Sequence, residues 1–184
     1  ICVQSAHYNP LFIYSPVGMG KTHLLNAIGL GVGNTKKAMF ISSESFMYHF
    51  IKSIKSNEMV KFKDFFRRVN VFIIDDIQFL SGKEAMQEEF FHTFNALIER
   101  GSQIVISSSK APSELDRVQE RIRSRMSGGL IIDIQPPDFN LKVKILKNKF
   151  KEIKLNFRED YDLGDEVFEF LASEVTSSIR ELIG

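Results

Sequence analysis

The chain has 184 residues, the size of one domain with at most a small appendage. Hydrophobic residues make up 43%, which excludes a disordered chain, and 24 Lys and Arg against 23 Asp and Glu leave a formal charge of +1, which excludes a general basic coat for nucleic acid. The single cysteine, Cys2, excludes a disulfide scaffold and a cysteine zinc site and fits a reducing compartment. No apolar run reaches the roughly 20 residues of a membrane span, and no signal-peptide pattern opens the chain. It begins on Ile1 rather than Met, as expected of a piece of a longer protein.

In chain order, Leu11-Phe12-Ile13-Tyr14 reads as a buried strand, followed by a Gly-rich turn and a helix from Lys21 to Leu30. Ala38-Met39-Phe40-Ile41 is a second strand. Glu44 to Ser56 carries Phe46, Met47, Phe50, Ile51 and Ile54 at helical spacing. Val71-Phe72-Ile73-Ile74 is a third strand, ended by Asp75-Asp76. Lys83 to Arg100 is a long helix stopped by Gly101, with Phe90, Phe91, Phe94, Leu97 and Ile98 on one face. Ile104-Val105-Ile106 and Leu130 to Ile134 complete five strands. Strands alternating with helices, and strands apolar throughout, argue for an α/β fold with a mostly parallel sheet covered on both faces. Ligands in such sheets sit at the carboxyl ends of the strands.

Pro136-Pro137 forbids both ladder and helix, and Asp138 can cap a new helix running to about Lys151. The expected division is an α/β subdomain over 1–137 and a small helical subdomain over 138–184, with helices at Asp165–Glu174 and from Ser177 onward.

Ser15-Pro16-Val17-Gly18-Met19-Gly20-Lys21-Thr22 lies between a strand and a helix. It fits the phosphate-loop pattern G-x-x-x-x-G-K-[ST] except that Ser15 stands at the first glycine. Backbone N–H groups from Gly18 to Thr22 can face the phosphate oxygens of ATP or ADP, with Lys21 on the β-phosphate and, in ATP, the γ-phosphate, and Thr22 on Mg2+. Ser15 costs about 1–3 kcal/mol if its backbone angle is an unusual one. Asp75 and Asp76 follow four apolar strand residues. Alone they read equally as a solvated turn or as a Walker B pair; the phosphate loop upstream decides for the latter. Asp75 then holds magnesium and Asp76 orients the attacking water.

The chain resembles the AAA+ ATPase domain of the DnaA family of bacterial chromosomal replication initiators. The resemblance rests on Asn9 to Tyr14, Gly20-Lys21-Thr22-His23-Leu24-Leu25, Asp75 to Leu80 and Gln87 to Leu97. It continues through Arg121-Ile122-Arg123-Ser124-Arg125, Asp133 to Pro137 and Ser178 to Leu182. It implies a five-stranded P-loop domain with a helical lid, and an ATP site at a subunit interface. ATP binding then drives self-assembly into an oligomer or filament at the replication origin, with DNA unwinding and single-stranded origin DNA as a partner, and a weak Mg2+-dependent hydrolysis switches it off. A replicative helicase is a further partner, and the setting is the bacterial cytoplasm.

By position, the nucleotide contacts are Pro16, Val17, Gly18, Met19, Gly20, Lys21, Thr22, His23, Asp75, Ser109 and Arg121. Thr22 and Asp75 hold the metal; Asp76, Arg125 (the arginine finger) and Arg180 (sensor 2) serve hydrolysis. From the residues alone, Arg121, Arg123 and Arg125 read as a solvated basic helix face, and Arg180 as a surface partner of a glutamate such as Glu181. Ile51 and Lys83 are candidate DNA contacts.

Four features depart from the family. Ser15 replaces a glycine, Ser109 stands at the sensor 1 aspartate, Ala85 stands at a DNA-binding arginine, and Ile1 to His7 do not match the segment that encloses the adenine. In the family a helix-turn-helix domain that reads duplex origin boxes follows; nothing in this chain resembles it, so duplex recognition is not expected of this chain itself.

Lys52, Lys55, Lys61, Lys63, Arg67 and Arg68 interleave with Phe62, Phe65 and Phe66, either as a single-strand site or as an amphipathic helix. The phenylalanines are expected in the core; the lysines stay open. A basic run over 142–158 followed by an acidic run over 159–174 reads as solvated helix faces or subunit contacts. His23, His49 and His92 have no metal-site spacing. Two other functions remain: a nucleotide-binding switch with little or no hydrolysis, resting on Ser15 and Ser109, and another AAA+ replication factor such as a helicase loader.

Overall fold

The computed structural model describes residues 8–33, 36–157, 162–175 and 177–184. The readings of Ile1 to His7, and of the basic-to-acidic change at residues 158–161, lie outside these residues. The chain divides into two compact units, one of residues 8–15 and 21–134, the other of residues 16–20 and 135–184. The sequence sets its boundary after Pro137; the compact units part after Ile134, and the phosphate-loop residues Pro16–Gly20 group with the helical unit.

The first unit is built on strands β1 (Leu11–Tyr14), β2 (Ala38–Ser42), β3 (Val71–Asp75), β4 (Gln103–Ser108) and β5 (Leu130–Asp133). They form one sheet in the order β2-β3-β4-β1-β5, and every neighbouring pair is parallel. β3 and β4 are buried at every position, whereas β5 and most of β2 are partly open. That is the signature of central strands between two helical layers and of less covered edges.

Alternation along the strands splits the core in two. Phe12, Phe72, Ile74, Ile104 and Ile106 face one layer. Leu11, Ile13, Val71, Ile73 and Val105 face the other, where Leu25 of helix α1 (Lys21–Gly31) packs. The larger core is closed by α2 (Ser43–Lys55), α3 (Met59–Arg67), α4 (Glu84–Glu99) and α5 (Glu120–Ser127). Short 3-10 turns span Ile77–Leu80 and Pro112–Glu114.

Phenylalanines fasten α2 and α3 to this core. Phe46 is fully buried and meets Phe62, Phe66, Phe72 and Phe90 at centroid distances of 5.4, 5.0, 6.5 and 6.3 Å. Each tilted or edge-on pair adds about 0.5–1.5 kcal/mol beyond the area it buries. Phe62 and Phe66 are core, as the amphipathic reading requires. Phe65 is not: it is 53% exposed, because it lies on the outer face of α3, where Lys37 Nζ sits 5.9 Å from its ring.

The second unit contains α6 (Phe139–Phe157), α7 (Asp165–Glu174) and the single turn α8 (Ile179–Leu182). Asp138 caps α6, its Oδ1 accepting from Leu141 N at 2.7 Å. Leu146, Phe168, Ala172 and Leu182 form its core. Lys142 Nζ donates to Val175 O at 2.8 Å and to Ala172 O at 3.3 Å, satisfying carbonyls at the end of α7. Among the described residues no helix is long and apolar enough to cross a membrane.

Candidate nucleotide site

The strand ends at one edge of the sheet gather the polar residues of the first unit. In register, Tyr14 lies beside Ser108 and Ser42 beside Asp75. Ser15, directly after β1, is fully buried and donates its N–H to Ser108 O at 3.3 Å. Lys21 opens α1. Its side chain is folded inward, only 7% exposed, with Nζ 2.7 Å from Ser15 O and 3.4 Å from Ser15 Oγ. The next residue, Thr22, donates its hydroxyl to Asp75 Oδ2 at 2.7 Å, joining positions 53 apart in the chain. The strain tied to an unusual angle at Ser15 does not arise from left-handed backbone. Among the described residues the non-glycine positions with positive φ are Asn57, Asp76 and Arg117.

Asp75 ends β3, 5% exposed and held on three sides. Thr22 reaches Oδ2, Ser107 Oγ donates to Oδ1, and Ser43 Oγ donates to the backbone carbonyl at 3.0 Å. The chain then reverses at Asp76, in the left-handed region at φ 57° and ψ 53°. Ser107 Oγ accepts from Asp76 N at 2.9 Å, and Phe79 N donates to Asp76 O at 3.1 Å, so the turn is held from β4 and from the 3-10 segment. Such non-glycine conformations cost of order 1–3 kcal/mol and gather at functional sites.

Oxygen donors alone are present at this point: the Thr22 hydroxyl and the Asp75 carboxylate. Among the described residues no three His, Cys, Asp or Glu side chains cluster as a metal site. This set fits Mg2+, which takes one or two carboxylates and completes its shell with water and substrate phosphate oxygens.

In the second unit, Gly18 and Gly20 have φ of +85° and +88°, angles that favour glycine. Arg180 N donates to Gly18 O at 3.1 Å, and a Cβ at Gly18 would come within 2.8 Å of Ser178 Cβ. Within this loop Met19 is buried, while Pro16 and Val17 are exposed. The Arg180 side chain is exposed. Its expected surface partner, Glu181, is engaged by Ser177 Oγ instead. His23 is exposed on α1.

The two arginines of α5 differ. Arg121 is engaged within its own chain: Nη2 donates to Glu88, Nε donates to Gln119 Oε1 at 2.8 Å, and the guanidinium lies 4.6 Å from the Phe91 ring centre. Arg125 is exposed, and its guanidinium has no hydrogen-bond or ion-pair partner among the described residues. Gln87 fixes the entry to this helix. It is 1% exposed, its amide donating to Leu80 O and Arg117 O and accepting from Gln119 N.

Of the DNA candidates, Ile51 is exposed on α2 and Lys83 is half-buried at the start of α4. Tyr48, Ile51, Lys52, Lys55 and Ser56 line an open depression of about 460 Å³. Sequence reasoning missed Ser107, Gln78 and Gln87. Their signal was a polar residue inside or just after a buried element, legible only once its partners are known.

The model of the bacterial DnaA ATPase domain matches residues 2–133, well over half of the chain. This chain belongs to the DnaA ATPase-domain family. It is 37% identical to domain III of the Thermotoga maritima replication initiation protein DnaA, with a TM-score of 0.91 over 99% of this chain and 75% of that one. A DnaA bound to AMPPCP and single-stranded DNA matches at 36% identity and a TM-score of 0.84, over 98% of this chain and 56% of that one. The AMPPCP-bound DnaA of Aquifex aeolicus matches at 38% and 0.83, over 95% of this chain and 53% of that one. The chain thus spans little more than half the length of the latter two. The five-stranded parallel sheet with flanking helices is the AAA+ fold of DnaA domain III.

Proposed function

We propose that this domain binds ATP or ADP with Mg2+ and acts as a weak ATPase module of a bacterial replication initiator. The observation that carries this reading is the Thr22–Asp75 hydrogen bond beside the inward-folded Lys21. It brings the two metal-binding residue types together next to a helix-opening lysine. In that role Lys21 faces the terminal phosphates, Thr22 and Asp75 hold Mg2+, and Asp76 accepts a hydrogen bond from the water that attacks the γ-phosphorus. Mg2+ held by Thr22 and Asp75 would supply neutralisation of the phosphate charge. Pro16 to Gly20 supply loop backbone, His23 and Ser109 line the nucleotide, and Arg121 is a further interface arginine on the face of α5 that carries Arg125. Ser109 can hydrogen-bond there but brings no charge.

Arg125, exposed and unpaired among the described residues, is the finger offered to a neighbouring copy in an ATP-dependent oligomer or filament. Arg180 acts as sensor 2 from the helical subdomain, 138–184 in the sequence division. A related DnaA is described as bound to single-stranded DNA; here Ile51 and Lys83, with Lys52 and Lys55, are the contacts offered to it. Assembly, origin unwinding and a helicase partner belong to this proposal, as does a bacterial cytoplasmic setting.

Titration with a fluorescent ATP analogue and magnesium, beside Lys21→Ala, tests it. Saturable binding that Lys21→Ala abolishes supports the reading; equal binding by the variant refutes it. Magnesium-dependent turnover lost in Asp76→Ala separates an ATPase from a switch that only binds, the reading favoured by the uncharged Ser109. Arg125→Ala should bind nucleotide normally yet assemble poorly on single-stranded DNA.

A further inference from the structure

The side chain of Gln78 spans two strand ends. Its Nε2 donates to Asp76 Oδ1 at 2.9 Å, and its Oε1 accepts from Ser109 N at 3.1 Å. The orientation of the amide follows from its partners. A carboxylate only accepts and a backbone N–H only donates, so the nitrogen must face Asp76 and the oxygen Ser109. A neutral amide alone satisfies both at this length. A carboxylate in its place repels Asp76, and a cation cannot accept from Ser109.

The backbone of Asp76 is already held by Ser107 and by the 3-10 turn. The carboxylate has a different anchor. Its only partner among the described residues is Gln78, and through Gln78 it is tied to the first residue after β4. A shift at Ser109 therefore moves the Asp76 carboxylate, and the reverse. We propose that Gln78 is a positioning residue that sets the Asp76 carboxylate in register with the strand end at Ser109. The proposal rests on the hydrolytic role given to Asp76 above.

Gln78→Met keeps the length and removes both hydrogen bonds; Gln78→Glu keeps the acceptor for Ser109 and loses the donor to Asp76. In the nucleotide-free chain, amide exchange at Ser109, followed by NMR, should accelerate in Gln78→Met and stay near wild type in Gln78→Glu. Nucleotide-analogue affinity should remain within about twofold in both, while turnover falls about 10- to 100-fold, the cost of losing an outer-shell partner. That split of binding from turnover, measured well below the thermal midpoint of every variant, is not produced by a merely structural role. Turnover within twofold of wild type in either variant, where Asp76→Ala abolishes it, overturns the positioning role alone. A wild-type chain without turnover, or an Asp76→Ala chain that turns over normally, overturns the hydrolytic reading and the positioning role with it.

Discussion

Removing the Ser107 hydroxyl should cost stability out of proportion to its size. Ser107 is fully buried at the end of β4, and one oxygen serves both acidic residues. It donates to Asp75 Oδ1 and accepts from Asp76 N at 2.9 Å. Ser107→Ala leaves almost no cavity but strands the half-buried Asp76 N–H and one Asp75 carboxylate oxygen. An unsatisfied neutral donor costs about 1–3 kcal/mol, and a bond to a charged group is worth about 1.5–3 kcal/mol. Thr22 still donates to Asp75 Oδ2, which limits the second loss. A total near 3 kcal/mol corresponds to a thermal midpoint lower by about 6–12 °C for a chain of this size. Circular dichroism melts of the two proteins measure it. In an Asp75→Ala background the same change should cost at least 1 kcal/mol less, because no carboxylate is left stranded. A midpoint drop under 2 °C, or an equal cost in both backgrounds, refutes the assignment of Ser107 as the shared clamp.

Other outcomes follow from the same geometry. Gly18→Ala places a side chain at φ +85° and a Cβ within 2.8 Å of Ser178 Cβ, so nucleotide-analogue affinity should fall more than about tenfold; unchanged affinity refutes the tight loop. Lys142→Met should cost about 1–2 kcal/mol and speed amide exchange in the last turn of α7, since both carbonyls lose their donor; unaltered exchange contradicts that capping role. The hydrogen bond from Lys61 holds the Glu58 carboxyl below its ordinary value. A depressed folded value means that the stabilisation is present above the unfolded value and lost as pH falls through the folded one. The pair is exposed, so the effect on stability is small and weakened by salt. NMR titration should find the Glu58 midpoint raised toward its ordinary value in Lys61→Met.

Much of the architecture was legible because burial writes itself into composition. β1, β3 and β4 carry continuous apolar runs at Leu11–Ile13, Val71–Ile74 and Ile104–Ile106 since helices cover both their faces, and Pro136-Pro137 and Asp138 mark the entry to α6 by backbone chemistry alone. α3 was harder. Its lysines and phenylalanines carried two meanings, and packing divides them, with Phe62 and Phe66 inward and Phe65 outward. The strand order β2-β3-β4-β1-β5 was not legible, because apolar strands of similar length pair equally well in a linear reading.

At the site, residue identity and spacing were enough to single out Lys21, Thr22, Asp75 and Asp76 as candidates, since phosphate and magnesium favour such side chains after a strand and at the start of a helix. Their partners were not, because Ser107, Ser43 and Gln78 are common residues whose meaning depends on what the fold sets within hydrogen-bond reach of them. The two arginines of α5 show the same limit. One turn apart on one face, Arg121 and Arg125 are equivalent on paper. Only the approach of Glu88, Phe91 and Gln119 ties down the first and leaves the second facing solvent. Local chemistry is carried by the order of residues along the chain; the pairing of distant polar groups arises only when the sheet brings its strand ends together.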